Sequence, residues 1–144
     1  MTTSFNQVFK RLIGALFAIS LGFFLLLAPF GETAEASKAS MSGNYIEDTI
    51  SVAQSLQKTV AIPNDDPSRS EAKDESLDLI TAYISRYRNR PQFNKTVSFT
   101  TMQTALNAMA GHYKSFPNRP LPEALKDRLN NELSKAATRV SNEN

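Results

Sequence analysis

From residue 44 onward the apolar residues recur three and four positions apart in four separate runs, and no run alternates with period two for long. That spacing lays the apolar side chains of each run along one stripe of a helix, and such a stripe must be covered by another element. Proline, asparagine and aspartate separate the runs, so the chain stops and reverses between them. Connections this short make consecutive helices pack antiparallel. The expected fold is all-α, a four-helix up-down bundle.

The first run extends from Asn44, an N-cap, to about Val60, with Ile46, Ile50, Ala53, Leu56 and Val60 on its buried side. Glu47 and Asp48 suit the positive end of its dipole. "IPNDDPS" stops it. The second starts near Ser68 and reaches about Asn89, with Ala72, Leu77, Ile80, Ile84 and Tyr87 inward, acidic residues early and arginines late. The third is capped by Ser98, and its stripe is Phe99, Met102, Leu106, Met109 and Tyr113, extended by Phe116. The fourth opens at "RPLPEAL", with Pro122 in the first turn, where its missing N–H costs little, and buries Leu125, Leu129, Leu133, Ala136 and Val140.

Ahead of these runs, Lys10 and Arg11 precede an uncharged apolar stretch over residues 12–30, and Ala34-Glu35-Ala36 follows. A positive start, an apolar middle and a small-residue site predict an export signal over residues 1–36, cut after Ala36. Residues 37–43 form a polar linker, and the bundle domain covers 44–144. After the cut the chain keeps 14 of its 16 basic and 12 of its 14 acidic residues, so the net charge stays at +2, too mild to imply nucleic acid. There is no cysteine. An exported domain without disulfides is held by packing alone.

The residues for catalysis are sparse. His112 is the single histidine, which leaves a zinc site to carboxylates, and no G-x-S-x-G elbow or glycine-rich phosphate loop occurs. "NDDPSRSEAKDE" lacks the glycine turn of a calcium loop. The chain is read as no enzyme, with no cofactor and no metal; His112 is a hydrogen-bonded helix histidine.

Three stretches offer binding surface. In "YISRYRNRP", Arg86 and Arg90 lie four apart on one helix flank, suited to gripping carboxylates, although a solvated helix end with Tyr83 and Tyr87 in the core is the simpler reading. "TTMQTALNAMAGH" carries no charge, which suits either a helix encircled by its own protein or a face kept for a partner. Gly111 in its interior implies a packing reason, since glycine there costs about 1 kcal/mol relative to alanine. "FPNRPLP" is stiff and holds Arg119 in a restricted frame, or only turns the chain.

"NYIEDTI", "AYISRYRNR", "SFTTMQTALNAMAGHY" and "NRPLPEALKDRL", in this order over residues 44–133, make the chain resemble the Psb-twenty-seven family of photosystem II assembly proteins. The resemblance implies a four-helix bundle in the thylakoid lumen of a cyanobacterium, acting in assembly and repair without catalysis. It implies transient binding to photosystem II intermediates, chiefly at the large lumenal loop of the inner antenna protein of the CP-forty-three type, before the manganese cluster and the extrinsic subunits assemble. A monomer when free, the protein would touch the membrane only through this partner. Many cyanobacterial relatives carry a lipobox cysteine, which this chain lacks, so lipid anchoring does not transfer. The expected docking residues are Arg86, Arg90, Gln103, Asn107, His112 and Arg119. A permanent extrinsic four-helix subunit of photosystem II is the rival reading.

Overall fold

A computed structural model describes residues 41–143; the expected export signal over residues 1–36 lies outside them. Four helices form where the stripes place them: α1 Tyr45–Ala61, α2 Arg69–Tyr87, α3 Val97–Ser115 and α4 Glu123–Asn142. Each packs on the next, and α4 closes the ring on α1. Cross-contacts fix the directions. Thr49 near the start of α1 meets Tyr83 near the end of α2, and Thr59 at the other end of α1 meets Ser76. The start of α3 meets the end of α4 through Ser98 and Glu143. The described residues form an up-down all-α bundle, as the spacing of the stripes requires.

Asn44 caps α1, its side-chain oxygen accepting from the amides of Ile46 and Glu47 at 3.0 and 3.2 Å. The inward face of α1 is rotated from expectation. Ile46 and Ile50 are only half-buried, whereas Tyr45, Asp48, Thr49 and Val52 join Ala53, Leu56 and Val60 inside. The polar pair is tolerated because each member has buried partners. α2 ends at Tyr87, short of Asn89, and its interior residues are Ser76, Ile80, Tyr83 and Tyr87.

Expectations for α3 and α4 are corrected at four residues, one of them Leu125, which is only half-buried. Thr96, not Ser98, is the N-cap of α3: its backbone is extended and its hydroxyl accepts from the Phe99 amide at 3.2 Å. Phe116 does not extend the buried stripe and is 45% exposed, because the chain leaves helical geometry at that residue (φ −133°, ψ 65°). Pro122 stands at the N-cap of α4, one place before the first turn. The stripe from Phe99 to Tyr113 is otherwise buried in full, as are Leu129, Leu133, Ala136 and Val140.

One end of the bundle holds a polar layer inside an aromatic cluster. Tyr45 and Phe93 stack with centroids 4.3 Å apart, and Tyr87 meets Tyr45 edge-on at 5.1 Å. The direction of each hydrogen bond follows from the proton count. Thr49 gives its hydroxyl proton to the Tyr45 carbonyl at 2.7 Å, so the Tyr83 hydroxyl donates to Thr49 at 2.8 Å. Ser98 donates to the Glu143 carboxylate, so the Tyr45 hydroxyl donates to Ser98 at 2.7 Å. Tyr87 donates to Asp48 at 2.5 Å. Residues of all four helical segments and their caps share this layer, which ties their relative heights together.

Candidate functional site

The six expected docking residues are strung along the length of α3 rather than gathered at a point. Arg86 and Arg90 stand where α2 ends and α3 begins, while His112 and Arg119 stand at the far end. A 19-residue helix spans about 28 Å. Gln103, half-buried, and Asn107, exposed, lie between.

The two arginines differ in freedom. Arg86 Nη1 is 3.5 Å from Asp48 Oδ2, and the Arg86 side chain is 35% exposed. Gly43 runs directly beside it: a Cβ on Gly43, whose φ is +94°, would sit 3.6 Å from Arg86 Nη1. Arg90 lies past the helix end, its guanidinium 5.7 Å from the centroid of the Tyr87 ring. Arg90 makes no ion pair among the described residues. Tyr83 and Tyr87 are wholly buried, as the simpler reading of this stretch has them.

At the other end His112 fastens the α3–α4 connection. Its Nε2 is 3.1 Å from the Pro120 carbonyl oxygen and 3.4 Å from that of Arg119. Carbonyls only accept, so Nε2 carries the proton and donates. The Arg119 amide donates to the Phe116 carbonyl at 3.0 Å, and its guanidinium lies 5.4 Å from the centroid of the Phe116 ring. His112 is thus a hydrogen-bonded helix histidine that sets the place of Arg119.

Between the two ends runs an exposed ridge. Thr100, Thr104, Asn107 and Gly111 are exposed at steps of four, three and four, and none is charged; Lys114 ends the row. Thr100 and Thr104 turn their hydroxyls back to backbone carbonyls of the preceding turn, at 3.1 and 2.9 Å. The ridge is therefore smooth, with few free polar groups. Gly111 has no packing reason inside the protein, contrary to expectation: a Cβ there would meet nothing within 4 Å. Replacing Gly111 with Ala raises stability by about 0.5–1 kcal/mol, read by urea unfolding. No gain would mean that the site is more crowded than this geometry.

Sequence reasoning missed Asp48. Burial pushes its carboxyl up, but the Tyr87 hydroxyl, the amides of Ser42 and Gly43 and the Ser42 hydroxyl outweigh burial and hold it below its ordinary value. Burial and the Asp48 charge push the Tyr87 hydroxyl up in turn, so it stays a donor. No signal within one helix marks Asp48 as buried, because its key partner is 39 residues away.

No helix among the described residues is long and apolar enough to cross a membrane. The described residues thus form a four-helix module with an uncharged exposed ridge on α3 and arginines beyond each end of it. Its family is then defined by comparison. The sequence profile described as Photosystem II Pbs27 matches residues 10–139, and the chain belongs to that family. It is 44% identical to the photosystem II lipoprotein Psb27 of Synechocystis over 78% of this chain and 84% of that one. The photosystem II assembly factor lipoprotein Psb27 of Thermosynechococcus vestitus is 41% identical over 72% of this chain and 77% of its own length. The chloroplastic photosystem II repair protein PSB27-H1 of Arabidopsis thaliana is 32% identical over 68% of this chain and 57% of its own length. The solution structure of Psb27 from cyanobacterial photosystem II superposes with a TM-score of 0.68 at 42% identity, covering 72% of this chain and 90% of that one.

Proposed function

We propose that this protein is a non-enzymatic assembly and repair factor of photosystem II that binds intermediates transiently on the lumenal side. Residues 1–36 direct export, and residues 44–144 work as a rigid body in the thylakoid lumen. The partner is chiefly the lumenal loop of the inner antenna protein of the CP-forty-three type. Docking precedes assembly of the manganese cluster and extrinsic subunits, and the bundle acts by occupying their ground. The observation that carries this reading is the uncharged exposed ridge of α3, on a chain 41% identical to a protein named as a photosystem II assembly factor.

The ridge supplies the interface centre, where a charge would have to be desolvated, with Gln103 and Asn107 as its polar anchors. Arg86 and Arg90 at one end, and Arg119 placed by His112 at the other, meet acidic residues at the rim. Two of the relatives are named lipoproteins. The 144 residues here contain no cysteine, so a cysteine-linked lipid has no attachment point within them, and membrane contact runs through the partner.

Binding to purified photosystem II cores with and without an assembled manganese cluster tests the reading. Preferential binding to cluster-free cores, weakening with salt, is expected. Equal binding to mature cores would instead make the protein a permanent extrinsic subunit. Binding to neither would end the docking proposal.

A further inference from the structure

At the end of the bundle opposite Asp48, α1 stops, α2 starts and the α3–α4 connection folds across, leaving an open hollow of about 290 Å³. Arg69, Lys73, Arg119 and Lys126 line it, and no aspartate or glutamate does. Two carboxylates flank it from outside. Asp74 lies 3.6 Å from Lys73 and Glu123 lies 2.9 Å from Lys126, their side chains 70% and 77% exposed. Arg69 and Arg119 make no ion pair among the described residues. A third carboxylate, Asp66, stands ahead of α2 and takes the Ser68 amide and hydroxyl protons at 2.8 and 2.6 Å, so the hollow's cationic character rests on the unpaired Arg69 and Arg119.

Within the lining, Lys73 donates to the Pro117 carbonyl at 3.2 Å and Lys126 to Asn64 Oδ1 at 3.1 Å. That leaves Arg69, Arg119 and the Tyr113 hydroxyl as the donors there without a partner among the described residues. Tyr113 lines the hollow, and burial pushes its hydroxyl up to about 12, with the Arg69 charge working against burial, so it keeps its proton. Ser70 in the first turn of α2 lines it as well, and the N-cap Ser68 makes no side-chain bond to that turn. Asp66 takes the Ser68 amide on its carboxylate and the Arg69 amide on its carbonyl, so of the first-turn amides only those of Ser70 and Glu71 lack a partner among the described residues. Ile62, half-buried, supplies apolar surface beside these donors, with Val60 and Leu121 buried behind it. An inorganic anion would leave that surface wet, whereas a peptide carrying a carboxylate next to an apolar side chain satisfies both parts.

We propose that this hollow binds an acidic segment of a partner protein, with a carboxylate between Arg69 and Arg119 and an adjacent apolar side chain against Ile62. Arg119 is shared with the docking surface proposed above; Arg69, Lys73 and Lys126 are not. The site therefore requires neither the α3 ridge nor photosystem II, and its test uses neither.

The full chain is titrated into a fluorescein-labelled peptide alternating leucine with glutamate, followed by anisotropy, with the leucine–glutamine peptide as its neutral counterpart. The glutamate peptide binds, the glutamine peptide binds at least about tenfold more weakly, and Arg69→Gln with Arg119→Gln together weaken the first by about tenfold or more. Lys114→Gln, outside the hollow, leaves binding unchanged, and circular dichroism confirms the fold of each variant. Equal binding of the two peptides, or equal losses in Lys114→Gln and the arginine pair, would overturn the assignment. Displacement of the peptide by inorganic phosphate at equal concentration would replace the peptide with a bare anion and overturn it too.

Discussion

Replacing Asp48 with Ala lowers the free energy of unfolding by about 3 kcal/mol in equilibrium urea denaturation. Asp48 is 1% exposed, and it gathers donors from three directions. The Ser42 and Gly43 amides reach it at 2.6 and 3.2 Å, and the Tyr87 hydroxyl at 2.5 Å. Truncation leaves the buried Tyr87 hydroxyl without an acceptor, and an unpaired buried donor costs more than the net value of its bond. It also releases the chain ahead of α1, which Asp48 holds through two amides. The Arg86 contact adds little, since its side chain is 35% exposed and 3.5 Å away, so Arg86→Ala costs under about 1 kcal/mol.

The same carboxylate gives an acid-sensitive contribution of definite sign. Its folded pKa lies below the ordinary 3.8, so the folded state holds the charged form more tightly than the unfolded chain does. The contribution is complete above about pH 5 and is lost as pH falls through the depressed folded value. Asp48→Asn flattens that part of the acid limb when stability is followed from pH 6 to pH 2. A loss under 1 kcal/mol for the alanine variant, with the acid limb unchanged, would show that Asp48 is peripheral to stability.

What the sequence made legible was periodic, and what it hid was long-range. Phe99, Met102, Leu106, Met109 and Tyr113 are buried because period alone determines which side of a helix they share. Asp48 looked like a dipole-matched surface acid, since Tyr87 is distant in sequence and the Ser42–Gly43 turn has no periodic signature. Ser98 looked like a cap because serine suits that position, yet Thr96 took the role and left Ser98 to Glu143, 45 residues on. Gly111 implied internal packing, but its empty surroundings are a property of the bundle, which places that face outward. The cationic hollow combines Arg69 with Arg119 and Lys126 from beyond α3, and no local pattern joins them. Helix existence follows from local spacing; which faces remain uncovered follows only from how the helices are ringed.

Asn107→Glu lowers affinity for cluster-free photosystem II cores by about 100-fold while leaving the melting temperature unchanged. Asn107 is exposed in the middle of the ridge, and its side chain makes no hydrogen bond among the described residues, so the fold loses little by its replacement. At an interface centre the new carboxylate must shed its water without a partner, and it also opposes the acidic rim that the arginines are proposed to meet. Asn107→Ala removes only a polar contact and weakens binding a few-fold, which separates burial of charge from loss of the amide. Arg90→Ala is the cleaner rim variant, because Arg86 also faces Asp48. Lys135→Glu on the exposed face of α4 controls for net charge, and it shifts affinity only slightly if docking uses α3. Should Lys135→Glu weaken binding as much as Asn107→Glu does, long-range charge rather than the ridge governs association. Should Asn107→Glu bind normally, the ridge is solvated in the complex and the docking face lies elsewhere on the bundle.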